Sequence, residues 1–223
     1  MHFVIINASP HKVELSNTAM ILEPFQKGIV EAESTFETYH LSKKQHWEKA
    51  KKAFLENENI VFALPVFAAI LPGFMLEFLE EMISEREIKA NKKIAFILHS
   101  GFPEACQRRY CEDYLKTLPE MLNSTFSGIL SYGINVRFIE NTELKEVLNA
   151  YQYMGTQFVK NNGTFFFKEA VEFTGDEHIT EIQAKKFNQI FNFFCRHIAE
   201  EKGCTTGLQA RPYECSNSIV KTD

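Results

Sequence analysis

Five polar residues stand close together near the start of the chain: Ser9, His11, Ser16, Asn17 and Thr18. They follow a short apolar run, Phe3-Val4-Ile5-Ile6-Asn7, and precede Ile21, Leu22, Phe25 and Ile29 at helical spacing. The run reads as a buried strand, and the spaced residues read as a helix that Ser16, Asn17 or Thr18 can cap. A helix N-terminus offers backbone N–H groups without intrahelical partners and the positive end of the helix dipole. A phosphate suits such a place. Ser9, Ser16 and Thr18 would add hydroxyl donors, and His11 or Lys12 positive charge. An ordinary capped turn between strand and helix explains the same residues, so the rest of the chain must separate the two readings.

Two later stretches bear on that choice. Pro65-Val66-Phe67-Ala68-Ala69-Ile70-Leu71-Pro72 is an apolar loop after the unbroken run Ile60–Leu64. A flat aromatic ligand could lie on the backbone beside Phe67, where Ala68 and Ala69 are small. Ser100, Gly101 and Phe102 follow the run Lys93–Leu98 and could meet the other edge of such a ligand. Plain packing between strand ends and helices is the simpler account of these two loops alone. Taken with the first loop, they suit a mononucleotide with a large apolar ring, a description that FMN meets.

The elements that must carry these loops alternate along the chain. Strands are expected at 3–7, 36–41, 60–64, 93–98 and 126–132. Helices are expected at 17–32, 43–56, from 72 onward, at 104–122, and from 143, capped by Thr142, to 160, where Asn161-Asn162-Gly163 stops it. Pro24 and Pro119 lie inside two of these helices and can kink them. Strand–helix alternation implies an α/β fold with a parallel sheet covered on both faces. Five strands suit the flavodoxin-like, doubly wound order 2-1-3-4-5, whose ligands sit at strand carboxyl ends near the switch point. That rule selects 8–18, 65–72 and 99–104. Residues 1–163 form the expected domain. Residues 164–223 are an extension: an aromatic segment beginning Thr164-Phe165-Phe166-Phe167, a helix over 177–201 and a polar tail. It is expected to pack on the same domain or at a dimer contact.

The totals narrow the field. The chain has 223 residues, 45% hydrophobic and 24% charged, which suits one soluble domain with an extension. A net charge of −5 argues against a nucleic-acid partner. No apolar run is long enough to span a membrane. No signal peptide is expected. The five irregularly placed cysteines fit a reducing cytoplasm.

At its loops the sequence resembles the flavodoxin-like NAD(P)H-dependent oxidoreductases of the FMN reductase and quinone reductase type. That family commonly has Ser-Pro-Arg-Lys and then Ser/Gly-Asn-Thr in the first loop. Here Ser9-Pro10-His11-Lys12 and Ser16-Asn17-Thr18 stand in those places. The third-strand loop commonly reads Pro-Val/Ile-Tyr, small residues and Pro-Gly. Here it reads Pro65-Val66-Phe67-Ala68-Ala69-Ile70-Leu71-Pro72-Gly73. The resemblance covers about residues 3–160. It implies FMN held by Ser9, His11, Ser16, Asn17, Thr18, Pro65, Val66, Phe67, Ala68, Ser100, Gly101 and Phe102. It also implies NADPH or NADH as donor, a quinone or similar small acceptor, and a homodimer. The hydride chemistry belongs mostly to the flavin, so no catalytic side chain is required. His11 stands for the usual Arg, Phe67 for the usual Tyr, and Ala68-Ala69 for a Gly/Ser pair; Glu14 adds an acid to the phosphate loop.

Two rivals remain open. One is an electron-transfer flavodoxin, although 9–18 lacks the central Gly and Thr-rich loop of that group. The other is a family member without cofactor that acts as a binding protein. Cys106 and Cys111, near a helix start, could do redox chemistry but read more simply as reduced thiols. Neither an iron–sulfur spacing nor a His-Glu-x-x-His metal pattern is present, and no Gly-x-Gly-x-x-Gly follows the first strand. Arg108-Arg109 could meet a dinucleotide phosphate, or lie on a solvated helix face.

Overall fold

Apolar runs become strands and the spaced apolar residues become helices, in the expected alternation. The computed structural model describes residues 1–67, 69–84, 92–133, 139 and 141–203. The described chain holds β1 (His2–Asn7), α1 (Asn17–Glu31), β2 (Thr35–His40), α2 (Trp47–Glu56), β3 (Asn59–Pro65) and α3 (Gly73–Ser84). β4 (Lys92–Ser100), α4 (Arg109–Met121), β5 (Ser124–Gly133), α5 (Asn141–Lys160), α6 (Lys168–Glu172) and α7 (Glu181–Glu201) follow. The five strands form one parallel sheet in the order β2-β1-β3-β4-β5.

Burial explains the unbroken apolar runs. In β3 every residue from Ile60 to Pro65 is buried, because the strand is central and covered on both faces. Val4, Ile6, Phe62, Phe96 and Leu98 point to one face, where Phe54 of α2, Phe78 of α3 and Leu115 of α4 meet them. Phe3, Ile5, Val61 and Ile97 point to the other, against Phe25 of α1 and Phe158 of α5. α1 and α5 cross at contact distance because both are glycine there. A Cβ on Gly28 would lie 2.0 Å from Gln152 O, and one on Gly155 would lie 2.1 Å from Phe25 O.

Two compact units divide the chain, Met1–Ile179 and the part from Thr180 onward. Residues just after α5 therefore belong with the sheet. Phe165 is buried, stacks on Phe158 with centroids 4.4 Å apart, and donates its N–H to Ser127 O at 2.8 Å. This seat exists because β5 bulges. Ile94 pairs with Phe126 but Phe96 with Ile129, so β5 carries one extra residue there. Gly128 has φ +96°, and an added Cβ would lie 2.9 Å from Phe165 Cβ. Only glycine takes that backbone while admitting the ring.

Four expectations need correction. The stretch expected as a helix from 43 opens with a 3₁₀ turn, Lys44–His46, and α2 begins at Trp47. The stretch expected as a helix from Glu104 opens with a 3₁₀ turn, Ala105–Arg108, and α4 begins at Arg109. The last helix begins at Glu181 rather than 177, because Thr180 and Gln183 form a reciprocal capping box there. Thr142 lies inside α5, which begins at Asn141. No described helix is long and apolar enough to cross a membrane.

Candidate functional site

β1, β3 and β4 are neighbours and parallel, so the loops that follow them emerge side by side at the carboxyl edge. Three hydrogen bonds stitch that edge together. Ala8 N donates to Ala63 O at 2.8 Å, and Val66 N donates to His99 O at 2.8 Å. Thr18 Oγ1 and His99 Nε2 share a bond of 2.7 Å.

The first loop is built from its own side chains. Asn7 Oδ1 accepts from Ser9 N at 2.9 Å, and Ser9 Oγ accepts from His11 N at 3.3 Å. Ser9 is buried, with its own hydroxyl proton left to donate. His11 and Lys12 are exposed. A short 3₁₀ turn, Val13–Leu15, then leads into Ser16. Ser16 is the N-cap of α1 and accepts from Ala19 N at 3.2 Å. Asn17 and Thr18 thus occupy the first helical turn, at the positive end of the helix dipole. The Thr18 hydroxyl faces inward, because Thr18 is fully buried against His99. Glu14 is exposed and lines a groove of about 570 Å³ between α1 and β2.

The second loop presents an aromatic side chain. Pro65 and Val66 are buried, whereas Phe67 is 44% exposed. Phe67 and Ile70 exchange two backbone hydrogen bonds, at 3.3 and 3.0 Å, which closes a tight turn. Ala69 takes φ 65° in that turn, a left-handed conformation usually left to glycine or asparagine. Ala68 lies outside the described residues.

The third loop does the same. Ser100 is buried and donates to Phe102 O at 2.8 Å, while Gly101 is exposed and Phe102 is 49% exposed. An added Cβ on Gly101 would meet nothing within 4 Å. Exposed large apolar groups at the carboxyl edge of a parallel sheet suit a flat ligand more than they suit water.

Two residues of this edge carry weight that the sequence reading did not give them. His99 is buried at the end of β4, and burial pushes its imidazole down to about 4, so it is neutral near pH 7. Its position as the last but one residue of a buried strand was the only signal. Arg108 neither faces solvent nor is placed for a dinucleotide, since it is wholly buried. Its Nε donates to Ser131 Oγ at 2.8 Å, and Ser131 Oγ donates to Glu112 Oε1 at 2.6 Å. Burial pushes the Arg108 guanidinium down from its usual range, and Glu112 pulls it back up. Arg109 holds Glu112 Oε2 at 2.6 Å and reaches Glu177, whose carboxyl it keeps low. Cys111 is buried, and burial with Glu112 nearby pushes its thiol up to about 12, away from thiolate chemistry.

No protein-family model and no curated protein matches the sequence. Solved structures do resemble the fold. An FMN-dependent NADH-azoreductase from Bacillus anthracis is 15% identical over 70% of this chain and 98% of that one, with a TM-score of 0.53. An NAD(P)H:quinone oxidoreductase from Methanothermobacter marburgensis is 14% identical over 71% and 98%, with a TM-score of 0.53. General stress protein 14 from Treponema denticola, solved in complex with FMN, is 12% identical over 72% and 98%, with a TM-score of 0.54. The fold is flavodoxin-like, and the chain spans the full length of these neighbours.

Proposed function

We propose that this chain is an FMN-dependent NAD(P)H oxidoreductase that passes reducing equivalents to a quinone or similar small acceptor. The observation that carries the reading is the stitched carboxyl edge. It unites the start of α1 with two loops that expose Phe67 and Phe102. The donor set fits FMN. The N-terminal turn of α1, at Asn17 and Thr18, and the Ser9 hydroxyl suit its phosphate, with His11 and Lys12 nearby. Phe67, Gly101 and Phe102 suit the faces and edge of its ring. When bound, FMN supplies the capacity to take hydride from a reduced nicotinamide and to hand electrons to the acceptor. The side chains here bind and orient, and none is asked to move a proton. The names of the neighbouring structures, azoreductase and quinone oxidoreductase, support the same kind of activity.

The proposal extends to a homodimer in the cytoplasm. Ile182 and Phe193 of α7 are exposed by 80% and 75%, a large apolar area for one helix to offer water. Cys106, Cys111 and Cys195 are free thiols, which suits a reducing compartment. Sedimentation velocity is expected to give the mass of two chains, and a monomer at micromolar concentration would overturn the dimer.

A cofactor-free binding protein is the second reading. Glu14 is exposed on the phosphate loop, and the Ser16 and Thr18 hydroxyls are engaged within the protein. Steady-state oxidation of NADH and NADPH by the full chain with FMN, against quinones and azo dyes, separates the two. Turnover with at least one acceptor is expected, and none with any acceptor would favour the binding protein.

A further inference from the structure

Among the described residues Arg108 heads the largest fully buried side chains, and nothing in the proposed activity asks for a buried cation. Stability is a weak account of it. Desolvating a guanidinium costs several kcal/mol, and an apolar residue of similar volume often serves as well. Geometry is a better account. Arg108 Nη1 donates to Ser100 Oγ at 3.4 Å, Phe102 O at 3.3 Å and Glu104 O at 3.1 Å. Nη2 donates to Thr174 O at 2.7 Å, and Nε to Ser131 Oγ at 2.8 Å. One rigid fork therefore ties the end of β4, the loop after it, β5 and the segment after α6. The compact ammonium of a lysine cannot span that set. Gly133 leaves the room, since a Cβ there would lie 2.0 Å from Arg108 Nη1.

The consequence falls on the outer face of the loop. Both carbonyls of this loop that Arg108 holds, Phe102 O and Glu104 O, point inward. Ser100 Oγ adds a second clasp on Phe102 O. Gly101 and the Phe102 ring are left facing out. Ala105 N and Cys106 N meanwhile donate to Asp176 O and Glu177 O, which fastens the far end of the loop to the same segment that Thr174 belongs to.

We propose that Arg108 is a positioning residue for the flavin ring: it fixes the 100–104 loop in the shape that receives the ring edge. This rests on the FMN reading above, and it assigns Arg108 to the ring rather than to the phosphate.

Arg108→Lys in the full chain tests it, with FMN and riboflavin as paired probes and flavin fluorescence as the readout. Riboflavin lacks the phosphate, so a ring-edge role weakens both flavins by the same factor. A loss of about tenfold for each is expected, with a changed band shape of the bound flavin and a melt that stays cooperative. Ser131→Ala is the milder companion should the first variant fail to fold. It keeps the charge, removes one anchor, and is expected to give the same parity at about threefold. Unchanged affinity for both flavins in a folded variant would overturn the proposal. So would a loss confined to FMN, which would move Arg108 to the phosphate. Failure of the unaltered protein to bind either flavin would instead overturn the FMN reading and this proposal with it.

Discussion

His99 shows how much one side chain can decide at this edge. Its backbone carbonyl holds Val66 and its ring holds Thr18, so it joins all three strand-end loops. Burial lowers its pKa from 6.5 to about 4. The unfolded chain therefore binds the proton more readily than the folded one between those values. Stability is full above pH 6.5 and falls on acidification towards pH 4, by roughly 3 kcal/mol from this one group. Urea unfolding at pH 7 and pH 5 checks this. His99→Gln should flatten the difference, and an equally steep pH dependence in the variant would remove the assignment. Ser9 bears on the phosphate. Its loss in Ser9→Ala is expected to weaken FMN by about three- to tenfold while leaving riboflavin unchanged. Titration of both flavins would show it. Ser9, Ser16 and Thr18 were legible as candidates because polar residues between a strand and a helix are conspicuous. That Thr18 turns inward was not, because its partner lies 81 positions away.

Elements were readable where their cause is local. Apolar runs, caps and the Asn161-Asn162-Gly163 stop mark strands and helices within a few residues, since hydrogen-bond and burial patterns repeat along the chain. Contacts between elements left weaker marks. Gly28 sits in the middle of α1, where glycine costs about 0.5–1 kcal/mol relative to alanine, and only the crossing with α5 explains it. Gly28→Ala is expected to lose about 2–3 kcal/mol or more, because its Cβ would meet backbone atoms that cannot yield. Gly73→Ala is the control. Its Cβ meets nothing within 4 Å, and a change within about 0.5 kcal/mol is expected. Thermal melts of the two variants compare them directly. Equal stability would mean that the helices do not cross at contact distance. Arg108 belongs to the same class. As one of two adjacent arginines at a helix start it reads as solvated, and only the distant Ser131 and Thr174 reveal it as buried.

On the scale of the whole molecule, sheet order follows from alternation. Parallel strands need crossovers, crossovers are right-handed, and five such units leave few arrangements. The segment after α5 escaped this logic. A run of phenylalanines does not say which one is buried, and Phe165 is chosen only because β5 bulges at Gly128. The function claimed for the molecule reduces to one physical statement: the carboxyl edge binds FMN. The visible spectrum of the purified full chain, taken after adding FMN and dialysing, tests it most directly. A yellow protein that keeps the two absorption bands of an oxidised flavin is expected. A colourless protein that gives up all its FMN would contradict it, and would leave the same edge to another anion or to a protein partner.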